Sequence, residues 1–222
     1  MPASMTSPSE DLLVALAPGA HAVQRVFSML LRTLSRPGEI GLMPDHESVV
    51  PASVMPLLCL VGHGTPFAVV GTDDERMLGG AVARVTGGNQ CPVEDAAYVA
   101  FLESPASADL VSLRIGDAMR PDLAAQILVP VGVISRADDR AGHVLATVLL
   151  SLEGPGVDGC ASVRVSGIGE PLLGMLSTRH SSFPAGVDVW LVDTLGNVIG
   201  LPRSTRVTVL DEQGPTAEDS EN

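Results

Sequence analysis

The sequence predicts an α/β fold in which a mixed β-sheet is sandwiched by helices. Three observations lead there. Segments with helical period alternate with short β-branched apolar runs along most of the 222 residues. The 23 glycines and 17 prolines cut the chain into many short elements, which argues against a helical bundle. Apolar residues make up 45% of the chain but aromatics only 3%, so Val, Leu and Ala must fill the core between layers. One domain is expected over 21–210, with a loose Ser-, Pro- and Ala-rich arm over 1–20. An acidic tail over 211–222 is expected to be disordered and solubilising.

The elements follow in order. Over 21–35, Val23, Val26, Phe27, Leu30, Leu31 and Leu34 recur at helical spacing, with Arg25, Ser28 and Arg32 opposite. Pro37-Gly38 ends that helix, and Arg36 lies where helix carbonyls favour a cation. A second helix is predicted over 51–61, a Gly62-His63-Gly64-Thr65 turn after it, and a buried strand over 66–70. Acids at 73–75 open a third helix, which ends at Gly87-Gly88. A strand over 96–102 and a helix over 108–115 are expected, with a break at Arg120-Pro121. Residues 126–133 and 144–152 read as two strands joined by the polar loop 135–140, a hairpin. After the Gly154-Pro155-Gly156 turn come a strand over 161–165 and a helix from Pro171 to about 179. Residues 187–192 form the most apolar strand, 195–197 a hairpin turn, and 198–201 and 206–210 complete the sheet.

Composition excludes several kinds of chemistry. All thirteen basic residues are arginine, so no lysine exists to form a Schiff base, a phosphate-loop contact or a general base. The net charge of −13 repels a phosphate backbone, and nucleic acid is not expected as a partner. No apolar run reaches the ~20 residues of a bilayer span, and residues 1–11 do not read as a secretory signal; a cytoplasmic protein without membrane contact is expected. Cys59, Cys91 and Cys160 are isolated, with no CxxC pair, and Cys59 reads as a small core residue. His21, His46, His63, His143 and His180 are scattered without ligand spacing, so no metal site is expected.

The remaining candidates cluster in turns. Gly154-Pro155-Gly156 reads as a tight turn, or as backbone amides offered to an anion. Arg203 and Arg206 flank Ser204-Thr205 at a corner between strands, where guanidinium groups suit a phosphate, a carboxylate or an acidic partner; an intramolecular salt bridge is the alternative. Asp188 reads as an arginine's internal counter-ion, or as an acid/base group. From the residues alone no catalytic set assembles.

Ordered blocks along the chain carry a family resemblance. They are Leu34-Ser35-Arg36-Pro37-Gly38-Glu39-Ile40, residues 57–66, Leu152-Glu153-Gly154-Pro155-Gly156-Val157, Phe183-Pro184-Ala185-Gly186-Val187-Asp188 and Leu201-Pro202-Arg203-Ser204-Thr205-Arg206. Together they resemble the H subunit of the bacterial carbon–phosphorus lyase core complex; residues 91–142 match poorly. The resemblance implies a fold like the large domain of pyridoxal-phosphate transferases without that cofactor, in agreement with the missing lysine. It implies a homodimer that joins the other core subunits, contributing to ribose 1-alkylphosphonate 5-triphosphate formation from ATP and an alkylphosphonate. A structural or assembly role is expected, with an anionic ligand or partner met through Arg36, Gly38, Gly154, Gly156, Asp188, Arg203, Ser204, Thr205 and Arg206. The alternatives are a stand-alone dimeric enzyme acting on a phosphorylated small molecule, or a diverged scaffold protein.

Overall fold

A computed structural model of the protein describes residues 19–43, 51–139 and 147–210. The arm and tail expected at the two ends lie outside the described residues, apart from Gly19 and Ala20. The chain runs α1 (Ala20–Ser35), β1 (Gly41–Leu42), α2 (Val54–Leu60), β2 (Pro66–Val70), α3 (Asp73–Thr86), β3 (Asn89–Gln90), β4 (Tyr98–Phe101) and α4 (Ser107–Val111). It continues β5 (Gln126–Val131), β6 (Ile134–Arg136), β7 (Thr147–Glu153), β8 (Ala161–Ser166), α5 (Glu170–Thr178), β9 (Asp188–Asp193), β10 (Asn197–Leu201) and β11 (Arg206–Leu210).

Two sheets form. The larger is mixed and seven-stranded, ordered β1-β10-β9-β5-β4-β2-β3. Its strands β9, β5, β4, β2 and β3 are parallel, and β10 turns back antiparallel on β9 through a hairpin. The smaller sheet is antiparallel, ordered β11-β7-β8-β6. Side-chain alternation along the central strands separates two cores. Leu128, Trp190, Val192 and Val198 pack with Val26 and Leu30 of α1, Leu57 of α2 and Val82 of α3. Ile127, Val129, Val189, Leu191 and Ile199 pack on the opposite face with Leu150, Leu152, Val163 and Val165 of the small sheet and with Leu172 and Leu176 of α5. Burying each such aliphatic side chain contributes about 1.5–3 kcal/mol.

The α1 layer is fixed by more than apolar contact. Gly200 of β10 passes so close to the helix that a Cβ there would sit 2.6 Å from the Thr33 carbonyl carbon and the Leu34 nitrogen. The Trp190 indole Nε1 donates to the Leu30 carbonyl at 3.2 Å. This docking turns Val26, Leu30 and Thr33 inward and leaves Phe27 and Leu31, at the edge of the predicted apolar stripe, 43% and 52% exposed.

Several expectations change. Only one face of the large sheet is covered by the helix layer α1–α3; the other faces a second sheet together with α5. The hairpin expected between 126–133 and 144–152 does not form: β4 and β9 occupy both edges of β5, so β7 pairs with β8 and β11 instead. Within the expected 135–140 loop, Ser135 and Arg136 belong to β6, which pairs with β8. Likewise 206–210 is a strand at the expected residues but joins the small sheet, because the Pro202–Thr205 turn carries the chain across. The helix expected over 108–115 is a single short turn, Ser107–Val111.

Candidate site at the glycine-lined corner

Three turns far apart in sequence meet at one corner of the molecule. The first is the C-terminal end of α1, where the Arg36 amide donates to Arg32 O at 3.0 Å and Gly38 takes a left-handed φ of +93°. The second joins β7 to β8, with Gly154 at φ +140° and Gly156 at φ +84°. The third links β10 to β11, closed by the Thr205 amide donating to Pro202 O at 2.9 Å. Absent side chains are what let them meet. A Cβ on Gly156 would overlap the Ser35 carbonyl oxygen, one on Gly38 would lie 2.6 Å from Ala161 Cβ, and one on Gly154 would lie 3.0 Å from Ser204 O. All three positions therefore answer to close packing, against backbone at Gly154 and Gly156 and against the Ala161 side chain at Gly38, as well as to turn conformation.

Beneath the third turn lies an internal ion pair. Asp188, at the first position of β9, accepts from the Arg203 amide at 2.8 Å and from its Nε at 3.2 Å through Oδ1, and from its Nη2 at 2.7 Å through Oδ2. Arg203 Nη1 donates to Pro121 O at 2.6 Å. Both side chains are only 15% exposed. The bidentate geometry is the strong form of this pairing, and it ties the crossover turn to β9 and to the loop before β5. Asp188 is thus the counter-ion of an arginine, and Arg203 turns inward instead of projecting from an exposed corner.

Arg36 and Arg206 do reach solvent. Arg36 Nη1 stands 3.7 Å from Glu39 Oε2, while Arg32 takes the other oxygen of Glu39 at 2.5 Å. Arg206 faces Glu153 across the β11–β7 ladder, Nη1 to Oε2 at 3.8 Å. Exposed pairs of this kind hold together weakly. Ser204 is half-buried, and Thr205 is fully buried with its Oγ1 unpartnered among the described residues.

The residue that sequence reasoning missed is Arg179, which is 6% exposed. It caps α5, and its Nη1 and Nη2 donate to Val187 O at 3.2 Å and Pro202 O at 3.1 Å. The signal was present: Leu172, Leu176 and Arg179 stand at i, i+4 and i+7, so the core stripe of α5 runs directly into the arginine. Burial pushes the Arg179 pKa down to about 10, against the pull of Asp188, and Arg203 lowers it further. That value leaves the guanidinium cationic at neutral pH.

Residues 154–159 also satisfy the G-x-G-x-x-G spacing of dinucleotide-binding turns. They join antiparallel β7 and β8 with no helix following, so the strand-to-helix context that gives the spacing its meaning is missing. A further buried carboxylate, Asp193, accepts from the Leu195 and Asn197 amides at 2.8 Å each and from Ile134 N at 3.0 Å, and so clamps the β9–β10 hairpin to β6. Burial pushes the Cys59 thiol up to about 11. Among the described residues no group of three His, Cys, Asp or Glu side chains could hold a metal ion, and no helix is long and apolar enough to cross a membrane.

Comparison with known proteins gives this corner a context. Residues 15–208 match the model of a family described as bacterial phosphonate metabolism protein (PhnH). The chain is 24% identical over 208 residues to the alpha-D-ribose 1-methylphosphonate 5-triphosphate synthase subunit PhnH of Rhizobium meliloti (strain 1021), covering 91% of this chain and 98% of that protein. The matched region takes in all three turns, the Asp188–Arg203 pair and Arg179, and on that extent of agreement the chain belongs to the PhnH family of bacterial phosphonate metabolism proteins.

Proposed function

We propose that this protein is a subunit of the carbon–phosphorus lyase core complex, required when that complex forms ribose 1-alkylphosphonate 5-triphosphate from ATP and an alkylphosphonate. The observation that carries the reading is the family match over 15–208, joined to a relative named as a subunit of the corresponding synthase. Its role is to assemble and position. The corner supports this division of labour: Arg203 and Asp188 are spent on each other, while the glycines are spent on close backbone approach. Arg36 and Arg206 remain at the surface as charges that an acidic partner or anionic ligand can recruit from their weak pairs. Val111, Met119 and Phe183 are 86%, 88% and 56% exposed, apolar surface of the sort that partner subunits cover.

The subunit acts in the cytoplasm as a homodimer, and its fold relates to the large domain of pyridoxal-phosphate transferases. The residues present do not fit pyridoxal phosphate, since a chain without lysine has no ε-amine for an aldimine.

The test is co-expression with the remaining core subunits followed by affinity capture on this chain. Stoichiometric recovery of the others is expected, together with growth on a phosphonate as sole phosphorus source that depends on this chain. Failure to co-purify, combined with turnover of a phosphoester by the isolated protein, would overturn the proposal in favour of a stand-alone enzyme.

A further inference from the structure

Beside Arg179 lies a cavity of about 250 Å³. Its apolar wall comes from Leu113, Ile115, Met175 and Val187, and hydroxyl-bearing Thr178 and Ser182 line it with Arg179. It sits where α4, the end of α5 and the strand entry at 186–187 converge, apart from the exposed arginines at the turns.

The charges of the described residues around it do not balance. Arg179 and Arg203 share one neighbouring carboxylate, Asp188, and both oxygens of that carboxylate are bonded by Arg203. Arg179 makes no salt bridge among the described residues; it donates only to the Val187 and Pro202 carbonyls, and its buried Nε–H has no acceptor. A buried cation is ordinarily paired, because removing it from water without a counter-charge costs several kcal/mol. The C-terminal dipole of α5 offsets at most about half a charge. Among the described residues one negative charge is therefore missing from a site where a buried guanidinium stands beside a cavity with an aliphatic wall.

We propose that this cavity binds a small organic oxyanion, a phosphonate or carboxylate head on a short alkyl group, with Arg179 as the electrostatic anchor. The head compensates the guanidinium and the alkyl group lies against Leu113, Met175 and Val187. Size limits the ligand. The cavity falls below the roughly 300–1,000 Å³ of sites that enclose drug-sized molecules, so a nucleotide triphosphate does not fit inside it. Charge and space within one chain define this site, so binding there is independent of complex membership.

Calorimetric titration of the full chain with ethylphosphonate, butyrate and inorganic phosphate tests the proposal. Ethylphosphonate and butyrate should each bind at one site, and phosphate, lacking an alkyl group, more weakly. Arg179→Gln should weaken ethylphosphonate at least about tenfold, a difference of about 1.4 kcal/mol. If that variant does not fold, Ile115→Trp decides the matter: it keeps the charge, fills the cavity from a side chain that is 52% exposed, and should abolish binding while the melting temperature holds. No saturable binding of any of the three anions, tighter binding of phosphate than of ethylphosphonate, or undiminished binding in Ile115→Trp would each overturn the assignment.

Discussion

Replacing either member of the Asp188–Arg203 pair should destabilise the protein, but by unequal amounts. In Asp188→Asn two guanidinium groups lose their common counter-charge: Arg203, 15% exposed, and Arg179, 6% exposed. Breaking a buried pair by removing one partner costs about 3–5 kcal/mol, and the residual exposure of Arg203 puts this case at the lower end, about 3 kcal/mol. Arg203→Met is milder. Asp188 would keep the backbone amide of residue 203 at 2.8 Å and would have Arg179 as its remaining cation. The methionine stem preserves most of the packing, so the loss reduces to charge-assisted hydrogen bonding at the low end of its usual worth, about 1.5–2 kcal/mol. Equilibrium unfolding in urea, followed by far-ultraviolet circular dichroism on the full chain, should place Asp188→Asn below Arg203→Met by about 1 kcal/mol or more. At this chain length the gap corresponds to about 2–4 °C in melting temperature. Equal losses, or a larger loss in Arg203→Met, would refute the idea that one carboxylate serves two cations here.

Further outcomes follow from the same geometry. Gly156→Ala must push against the Ser35 carbonyl from a left-handed backbone and should cost about 2–4 kcal/mol, whereas Gly159→Ala, at φ +68° but with nothing within 4 Å, should cost only about 1–2 kcal/mol in thermal melts; similar melting temperatures would contradict the close packing of the two turns. Arg36→Ala combined with Arg206→Ala should change stability by about 1 kcal/mol or less, because both ion pairs are exposed, while weakening capture of the partner subunits; unaltered capture would free these arginines of any partner role. With its thiol near 11, Cys59 is roughly a thousandth thiolate at pH 8, so iodoacetamide should label exposed Cys160 well before it. Peptide mass spectrometry reporting equal rates would count against the burial of Cys59.

Much of the fold was readable because local pattern and final environment agree. The strand at 66–70, the helix ending at Ser35 and the strand at 206–210 fall where periodicity and turn residues put them. What escaped was partnership between elements. The run 126–131 is apolar on both faces, which marks a central parallel strand, yet an apolar run followed by a polar loop and another apolar run also describes a hairpin. Nothing local distinguishes the two, because the strands that occupy its edges, β4 and β9, flank it at distances of tens of residues. The corner was legible as a set of turns, but not as a junction: that Gly156 rests on Ser35 depends on how two layers stack. Arg179 was overlooked for a different reason. A charged residue at a helix end reads as a dipole partner in water, and only the i, i+4, i+7 relation to Leu172 and Leu176 signals that it points into the core.

The indole of Trp190 is the one tryptophan in the chain, and it is seated between the large sheet and the first helix with its proton on the Leu30 carbonyl. Intrinsic emission is therefore an address-specific probe. A red shift would signal water entering beneath that helix, even while both sheets stay intact. Fluorescence and dichroism followed on one sample would then disclose whether the helical layer peels away before the rest of the molecule or departs together with it.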